Sequence, residues 1–237
     1  MFKEEMQKAI ASYGLTLTEQ QTSQFVRYYE LLLEWNEKMN LTAITEPKEV
    51  AVKHMADSLA AYQPELFIEG AKVLDVGTGA GFPGLPLKIF APGLKLTLMD
   101  SLNKRVNFLQ AVVAELGLQE VECVHARAEE GARDRRFREQ FDIVVSRAVA
   151  RLPVLTEYAL PFVRKGGCFL ALKGAAWAEE MAEAVRAVNL LGGGEMQARE
   201  VQLPGLADKR AIISIVKIKP TAKAYPRKAG TPAKKPL

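Results

Sequence analysis

The sequence predicts an α/β protein, built on a mostly parallel sheet with helices on both faces. Three observations carry this. From Lys72 onward, short apolar runs alternate with segments of helical periodicity, the βαβα order of a parallel sheet. The stretch Lys72-Val73-Leu74-Asp75-Val76-Gly77-Thr78-Gly79-Ala80-Gly81-Phe82-Pro83-Gly84 reads as a buried strand, a glycine loop and a helix start. Finally, Phe141-Asp142-Ile143-Val144-Val145-Ser146 barely alternates, as expected of a strand covered on both faces.

Residues 1–66 read as a helical segment that packs on the core. Phe2, Met6, Ala9 or Ile10 and Tyr13 recur at helical spacing. Thr18 followed by Gln21 resembles a capping box. It opens a helix whose stripe is Phe25, Tyr28 or Tyr29, Leu32, Trp35 and Met39. Pro47 suits the first turn of a third helix, striped by Val52, Met55, Leu59 and Tyr62. His54 lies beside that stripe and reads as a structural hydrogen-bonder.

Residues 67–219 form the α/β domain. After the glycine loop, Pro83 and Pro86 fall where the next helix begins, a turn that has no amide partners to lose. Leu94 to Asp100 alternates as a second strand, and Ser101 is placed to cap the helix striped by Val106, Leu109, Val113 and Leu116, which Gly117 ends. Val121 to His125 is the third strand, and His125 is taken as structural. Residues 130–139 read as a solvated helix or loop, and Phe141 to Ser146 as the fourth strand. A helix from about Pro153 to Val163, a turn at Lys165-Gly166-Gly167 and a strand from Cys168 to Leu172 follow. A helix over 177–191 is striped by Trp177, Met181, Val185 and Val188, and two strands lie near 196–203 and 211–218.

Composition excludes several classes. A chain of 237 residues fits one large domain, or one domain with a small cap. No apolar run approaches the ~20 residues that span a bilayer. The N-terminal segment carries acids and no cleavable apolar core, so no secretory signal is expected. Cys123 and Cys168 fall in predicted buried strands and read as core thiols of a reducing compartment. Two cysteines and two histidines without close spacing offer no zinc site. The expected setting is the cytoplasm, without membrane or metal. The net charge of +4 is uneven, because residues 217–237 hold Lys217, Lys219, Lys223, Arg227, Lys228, Lys234 and Lys235 and no acid. Residues 220–237 are thus a basic tail over a slightly acidic body. Contact with a polyanion such as RNA and a solvated, disordered tail are both open.

The chemistry-bearing residues cluster at predicted strand ends, where open α/β sheets bind ligands. Glycines let the backbone turn and let a ligand lie on bare peptide groups. Gly79-Ala80-Gly81-Phe82-Pro83-Gly84 fits the dinucleotide fingerprint G-x-G-x-x-G. Asp75-x-Gly77-x-Gly79-x-Gly81 fits the acidic glycine loop of S-adenosylmethionine (AdoMet)-dependent methyltransferases. The acid at the strand end favours the second, since it can order the loop or meet a ligand ammonium. Asp100 lies 21 residues beyond Gly79, the interval at which nucleoside-binding folds place an acid on the ribose hydroxyls. After the third strand, the Ala128 backbone and the Glu129 side chain can line an adenine pocket. Arg147 ends the fourth strand and is a site candidate beside an ion-pairing alternative. Lys173 lies at the exit of the fifth.

Taken together, the chain resembles the RsmG (GidB) family of bacterial 16S rRNA guanine-N7 methyltransferases, nearly end to end. The resemblance runs through Trp35-Asn36-Glu37-Lys38-Met39-Asn40-Leu41-Thr42, the loop from Asp75 to Pro86, Asp100-Ser101 with Lys104-Arg105-Val106, and Ala126-Arg127-Ala128-Glu129. It continues through Ser146-Arg147-Ala148-Val149-Ala150 and Lys173-Gly174 to Tyr225-Pro226-Arg227-Lys228-Ala229-Gly230-Thr231-Pro232. The last tail and the Ser-Arg-Ala-Val segment are its most specific parts.

The resemblance implies a Rossmann-like AdoMet-dependent methyltransferase fold, with a seven-stranded mostly parallel sheet and an N-terminal helical extension. It implies methyl transfer to N7 of a guanosine in the 530 loop of 16S rRNA, position 527 in standard rRNA numbering. The cofactor is AdoMet. The partner is 16S rRNA, either in the 30S subunit or in an assembly intermediate, and the chain is expected to act as a monomer. Cofactor positions fall on Asp75, Gly77, Gly79, Phe82, Asp100, Ser101, Ala128, Glu129 and Arg147. RNA-facing positions fall on Arg127, Arg147, Lys173, Arg210, Arg227 and Lys228. Guanine N7 has an exposed lone pair and no proton to remove, so no general base is needed and catalysis is positioning, with Arg147 where cofactor and base meet. Two alternatives stand beside this reading: a non-catalytic AdoMet- and RNA-binding assembly factor, and an NAD-linked reductase.

Overall fold

A computed structural model describes residues 1–207 and 209–237. Among these, β1 (Lys72–Val76), β2 (Lys95–Asp100), β3 (Val121–His125), β4 (Phe141–Arg147), β5 (Val163–Lys173), β6 (Gly193–Gln202) and β7 (Lys209–Lys217) form one seven-stranded sheet in the order β3-β2-β1-β4-β5-β7-β6. β1 to β5 pair in parallel, and β7 runs antiparallel to both its neighbours. The chain leaves β1 towards β2 on one side and returns past it to β4 on the other. A ligand crevice opens at such a reversal, outside the carboxyl ends of the strands.

Strand periodicity sorts the core into two layers. Val73, Leu96, Leu98, Ile143, Val145, Leu170 and Ile212 face one cluster of buried residues, while Leu74, Val76, Met99, Val144, Phe169, Ile213 and Ile215 face the other. Side chains that alternate across a strand give both faces an apolar lining, which is why β4 shows no polar alternation. The first layer takes α1 (Phe2–Ala11) and α2 (Glu19–Met39), together with α3 (Pro47–Val50), α4 (Asp57–Leu59), α5 (Gly84–Phe90) and α6 (Asn103–Glu115). The second takes α8 (Leu152–Ala159) and α9 (Trp177–Leu190), beyond the short α7 (Ala128–Gly131).

The Thr18 capping box is present: Thr18 Oγ1 accepts from the Gln21 amide at 3.2 Å, and Gln21 Oε1 accepts from the Thr18 amide at 2.9 Å. Between α3 and α4 the chain makes a π-helical turn, Ala51–Ala56, which brings His54 inward. Wide turns of this kind often mark functional segments.

Several local expectations are corrected. Ser101 does not cap α6, whose N-cap is Leu102; the Leu102 amide is instead held by Asp100 Oδ1 at 2.9 Å. The stripe of α9 is displaced, because Val185 is exposed whereas Ala184, Ala187 and Val188 are buried with Glu180. β5 begins at Val163, ahead of the expected turn, which is absorbed as a bulge in β5 between Val163 and Cys168, the partners of Phe141 and Ile143 of β4. Phe137 of the expected solvated stretch is buried, and Cys123 is only half-buried. The basic tail folds onto the body and ends in α10 (Thr231–Lys234). No helix of the described residues is long and apolar enough to cross a membrane.

Candidate functional site

The glycine loop after β1 is built from Asp75 outward. Asp75 is fully buried at the end of β1, and its Oδ2 accepts from Thr78 Oγ1 at 2.7 Å and from the Gly84 amide at 2.8 Å. One carboxylate oxygen therefore ties both ends of the loop to the strand. Among the described residues Oδ1 has no partner, and burial pushes the carboxyl up to about 7. From the other side, the Tyr28 hydroxyl donates to the Ala80 carbonyl, so α2 anchors the loop as well. Gly77 and Gly79 take left-handed φ angles of +67° and +61°. A Cβ on Gly77 would lie 2.6 Å from Val149 Cγ2, so any side chain there would have to displace Val149 as well as strain a left-handed backbone.

The loop borders a cavity of about 260 Å³ at the carboxyl ends of β1, β2 and β3. Val76 and Gly77 come from β1 and its exit, Met99, Asp100 and Ser101 from β2 and its exit, Ala126 and Arg127 from the exit of β3, and Ala128 and Glu129 from the start of α7. Val149, Tyr158, Gly230 and Ala233 close it. Asp100, only 2% exposed, accepts from the Gly79 amide through Oδ2 at 2.9 Å, which locks the glycine loop to the neighbouring strand end. Glu129 is also buried and accepts from the Gly230 amide at 2.9 Å. Two carboxylates at adjacent strand ends, beside bare backbone, suit a nucleoside: hydroxyls and amines donate to the acids while the ring lies on backbone. A larger groove of about 590 Å³ between α9 and β6 is mostly apolar and has no residue of the glycine loop in its wall.

Gly77, Asp100, Ser101, Ala128 and Glu129 thus come together in one cavity. Asp75 lies in β1 and Gly79 and Phe82 in the loop itself, and none of the three is in the cavity wall. Phe82 is buried behind the loop, 4.6 Å from the stacked His54 ring and 5.0 Å from the Arg147 guanidinium.

Arg147 forms the second centre. Its Nη1 donates to Asp57 Oδ2 at 2.7 Å and to the Lys53 carbonyl at 2.9 Å, and its Nη2 lies 3.3 Å from His54 Nδ1. Arg210 approaches the same Asp57 oxygen at 3.7 Å. His54 Nε2 meets Thr42 Oγ1 at 2.9 Å, and burial together with the Arg147 charge pushes this imidazole down to about 3. The ring is thus held neutral, with the threonine at one nitrogen and the arginine at the other. His125, also expected to be structural, has its Nε2 3.1 Å from the Ser101 carbonyl.

The other expected cations divide. Arg127 and Lys228 are exposed, and Arg210 is partly so. Lys173 is buried, donates to the Ala150 carbonyl at 2.8 Å and pairs with Glu180 at 2.6 Å. It thereby holds the segment after β4 that carries Val149. Arg227 is bound along its side chain by Glu157, with Nη2 to Oε2 at 2.6 Å. Val149, Tyr158 and Ala233 were not singled out from the sequence. Val149 and Gly230 lie inside noted segments, but a tyrosine on a helix and an alanine in a tail carry no local signal.

Among the described residues, no group of three His, Cys, Asp or Glu side chains could hold a metal ion.

Comparison with known proteins places the chain among close relatives. The family model described as rRNA small subunit methyltransferase G matches residues 21–212. The chain is 52% identical over 230 residues to the ribosomal RNA small subunit methyltransferase G of an Exiguobacterium strain, covering 97% of each chain. It is also 52% identical over 239 residues to that of Brevibacillus brevis, covering 100% of each. Among solved structures, an O-methyltransferase from Thermotoga maritima shares the fold with a TM-score of 0.54 at 16% identity, over 81% of this chain and 73% of that one. Fibrillarin from Aeropyrum pernix, solved with natively bound S-adenosyl-L-methionine, aligns with a TM-score of 0.52 at 18% identity, over 68% and 73%. These distant likenesses establish the Rossmann-like methyltransferase fold.

Proposed function

The chain belongs to the rRNA small subunit methyltransferase G family, and from that premise we propose that it methylates N7 of a guanosine in the 530 loop of 16S rRNA with AdoMet as donor. The observation that carries the cofactor half is the convergence of Gly77, Asp100 and Glu129 on one cavity at the strand ends. Bound AdoMet supplies a methyl group already activated on a sulfonium. The chain's own residues supply place and orientation. Asp100 and Ser101 take the ribose side, while the Ala128 backbone and Glu129 take the adenine side. Asp75, Thr78 and Gly84 keep the glycine loop in the conformation that leaves Gly77 bare.

Guanine N7 offers a lone pair and carries no proton. The reaction therefore asks for alignment rather than a base, and alignment alone is worth several kcal/mol of barrier, on the order of 7–11 in well-oriented cases. The neutral, enclosed His54 is consistent with this. Arg147, with its guanidinium over the Phe82 ring, stands where cofactor and target base meet. Arg127, Arg210 and Lys228 face phosphates, the sequence-independent share of RNA affinity. Lys173 and Arg227 act at one remove, by fixing the Val149 segment and the tail.

The decisive measurement is m7G mapping in 16S rRNA from cells with and without the protein, together with transfer of labelled methyl from AdoMet to small subunits at successive stages of assembly. Loss of one modified guanosine in the 530 loop is expected. An unchanged map would reduce the protein to an assembly factor. Calorimetric titration with AdoMet and with NADH separates the reductase alternative.

A further inference from the structure

The basic tail was expected to be an RNA-facing arm or a solvated end, and it is neither free nor distant from the cofactor cavity. It crosses the second helical layer as a strap, tied at successive points. The Thr221 amide donates to Glu139 Oε1 at 2.7 Å, and Arg138 donates to the Thr221 and Tyr225 carbonyls at 2.8 and 2.9 Å. Arg133 donates to the Pro226 carbonyl at 2.6 Å. Glu157, with no exposed surface, then accepts from both the Arg227 amide, at 2.7 Å, and the Arg227 guanidinium. Finally Gly230, at φ +80°, turns the chain into α10 and gives its amide to Glu129, and Gly230 and Ala233 become part of the cavity wall.

We propose that residues 221–237 form a strap that is part of the cofactor site, the wall facing the β3 exit, and that nucleoside exchange requires this strap to lift. The inference rests on the AdoMet reading of the cavity. Three features carry it. The anchoring bonds use side chains of the body on backbone groups of the strap, so they fix its path independently of most strap side chains. A buried, fully bonded glutamate at Arg227 is an anchor, since an unpaired carboxylate there would be costly. And Glu129, a residue of the cavity wall, receives its amide from the strap, so closing the strap and setting this carboxylate are one event. Lys223, Lys228, Lys234 and Lys235 remain exposed on the strap.

The test uses the full-length protein and AdoMet itself, with binding and dissociation followed by titration and by stopped-flow displacement with S-adenosylhomocysteine. Ala233→Trp places an indole in the cavity only if the strap lies over it. Ala233 is exposed, so the change spares the core. It is expected to weaken AdoMet at least about tenfold. Glu157→Gln combined with Arg227→Gln removes the ionic anchor without leaving either charge alone, and is expected to speed dissociation at least about tenfold while the thermal midpoint moves little. A folded Ala233→Trp protein with wild-type affinity would overturn the proposal, as would an unchanged dissociation rate in the folded double variant. Wild-type protein that binds no AdoMet would overturn the cofactor reading and the strap with it, whereas normal wild-type binding beside two indifferent variants overturns the strap alone.

Discussion

Arg147 Nη1 donates to Asp57 Oδ2 at 2.7 Å across 90 residues of chain, joining the end of β4 to the helical extension. Both side chains are nearly buried, at 10% and 4% exposure. Removing one partner strands the other charge in a poorly solvated place. Asp57→Ala is therefore expected to destabilise the protein by about 3–5 kcal/mol, read from urea denaturation, and Asp57→Asn by less. A loss under about 1 kcal/mol for Asp57→Ala would mean the pair is solvent-screened after all.

Gly77 and Gly79 share a left-handed backbone but not a neighbourhood. A Cβ at Gly77 meets Val149 at 2.6 Å, whereas one at Gly79 meets nothing within 4 Å. Gly79→Ala should therefore cost only backbone strain, about 1–2 kcal/mol. Gly77→Ala should add the displacement of Val149 and weaken AdoMet at least about tenfold, and Gly77→Arg should abolish binding. Titration of the three proteins checks the order, and Val149→Ala should partly rescue Gly77→Ala.

The capping box is a control. Thr18→Ala should cost about 1 kcal/mol of stability and leave AdoMet affinity unchanged, since Thr18 is remote from the cavity. Gln21→Ala should cost more, because Gln21 Nε2 also donates to the Ile89 and Phe90 carbonyls at 3.1 and 2.8 Å.

Two buried groups give stability opposite dependences on pH. His54 falls from 6.5 to about 3 on folding, so the unfolded chain binds the extra proton and stability drops as pH is lowered through that window. Asp75 rises from 3.8 to about 7, so the folded chain binds the extra proton and stability drops as pH is raised through that window. Between about pH 4 and 6.5 the two oppose each other, each with a slope of at most about 1.4 kcal/mol per pH unit. His54→Gln should leave the Asp75 slope exposed, so stability rises on acidification, and Asp75→Asn should leave a steeper acid loss than wild type. Denaturation midpoints at pH 4.5, 5.5 and 6.5 decide it; parallel curves for all three proteins would refute both assignments.

What the sequence alone determined is local. Apolar alternation and the missing alternation of β4 gave the strands, proline and glycine placed the helix starts and the loop after β1, and Thr18 with Gln21 gave the cap of α2. The spacing from Gly79 to Asp100 anticipated two groups that now share a hydrogen bond. Each of these signals lies within one or two turns of chain, or in the fixed span of a βαβ unit. Tertiary structure decided everything that depends on which distant segments meet. Nothing near Lys173 announces Glu180 as its partner, nothing near Arg147 announces Asp57, and nothing in a basic tail announces that Glu157 and Glu129 will hold it across the cavity. Charge counts report how many cations a segment carries; only the fold settles which of them are neutralised by buried carboxylates and which remain free for phosphate.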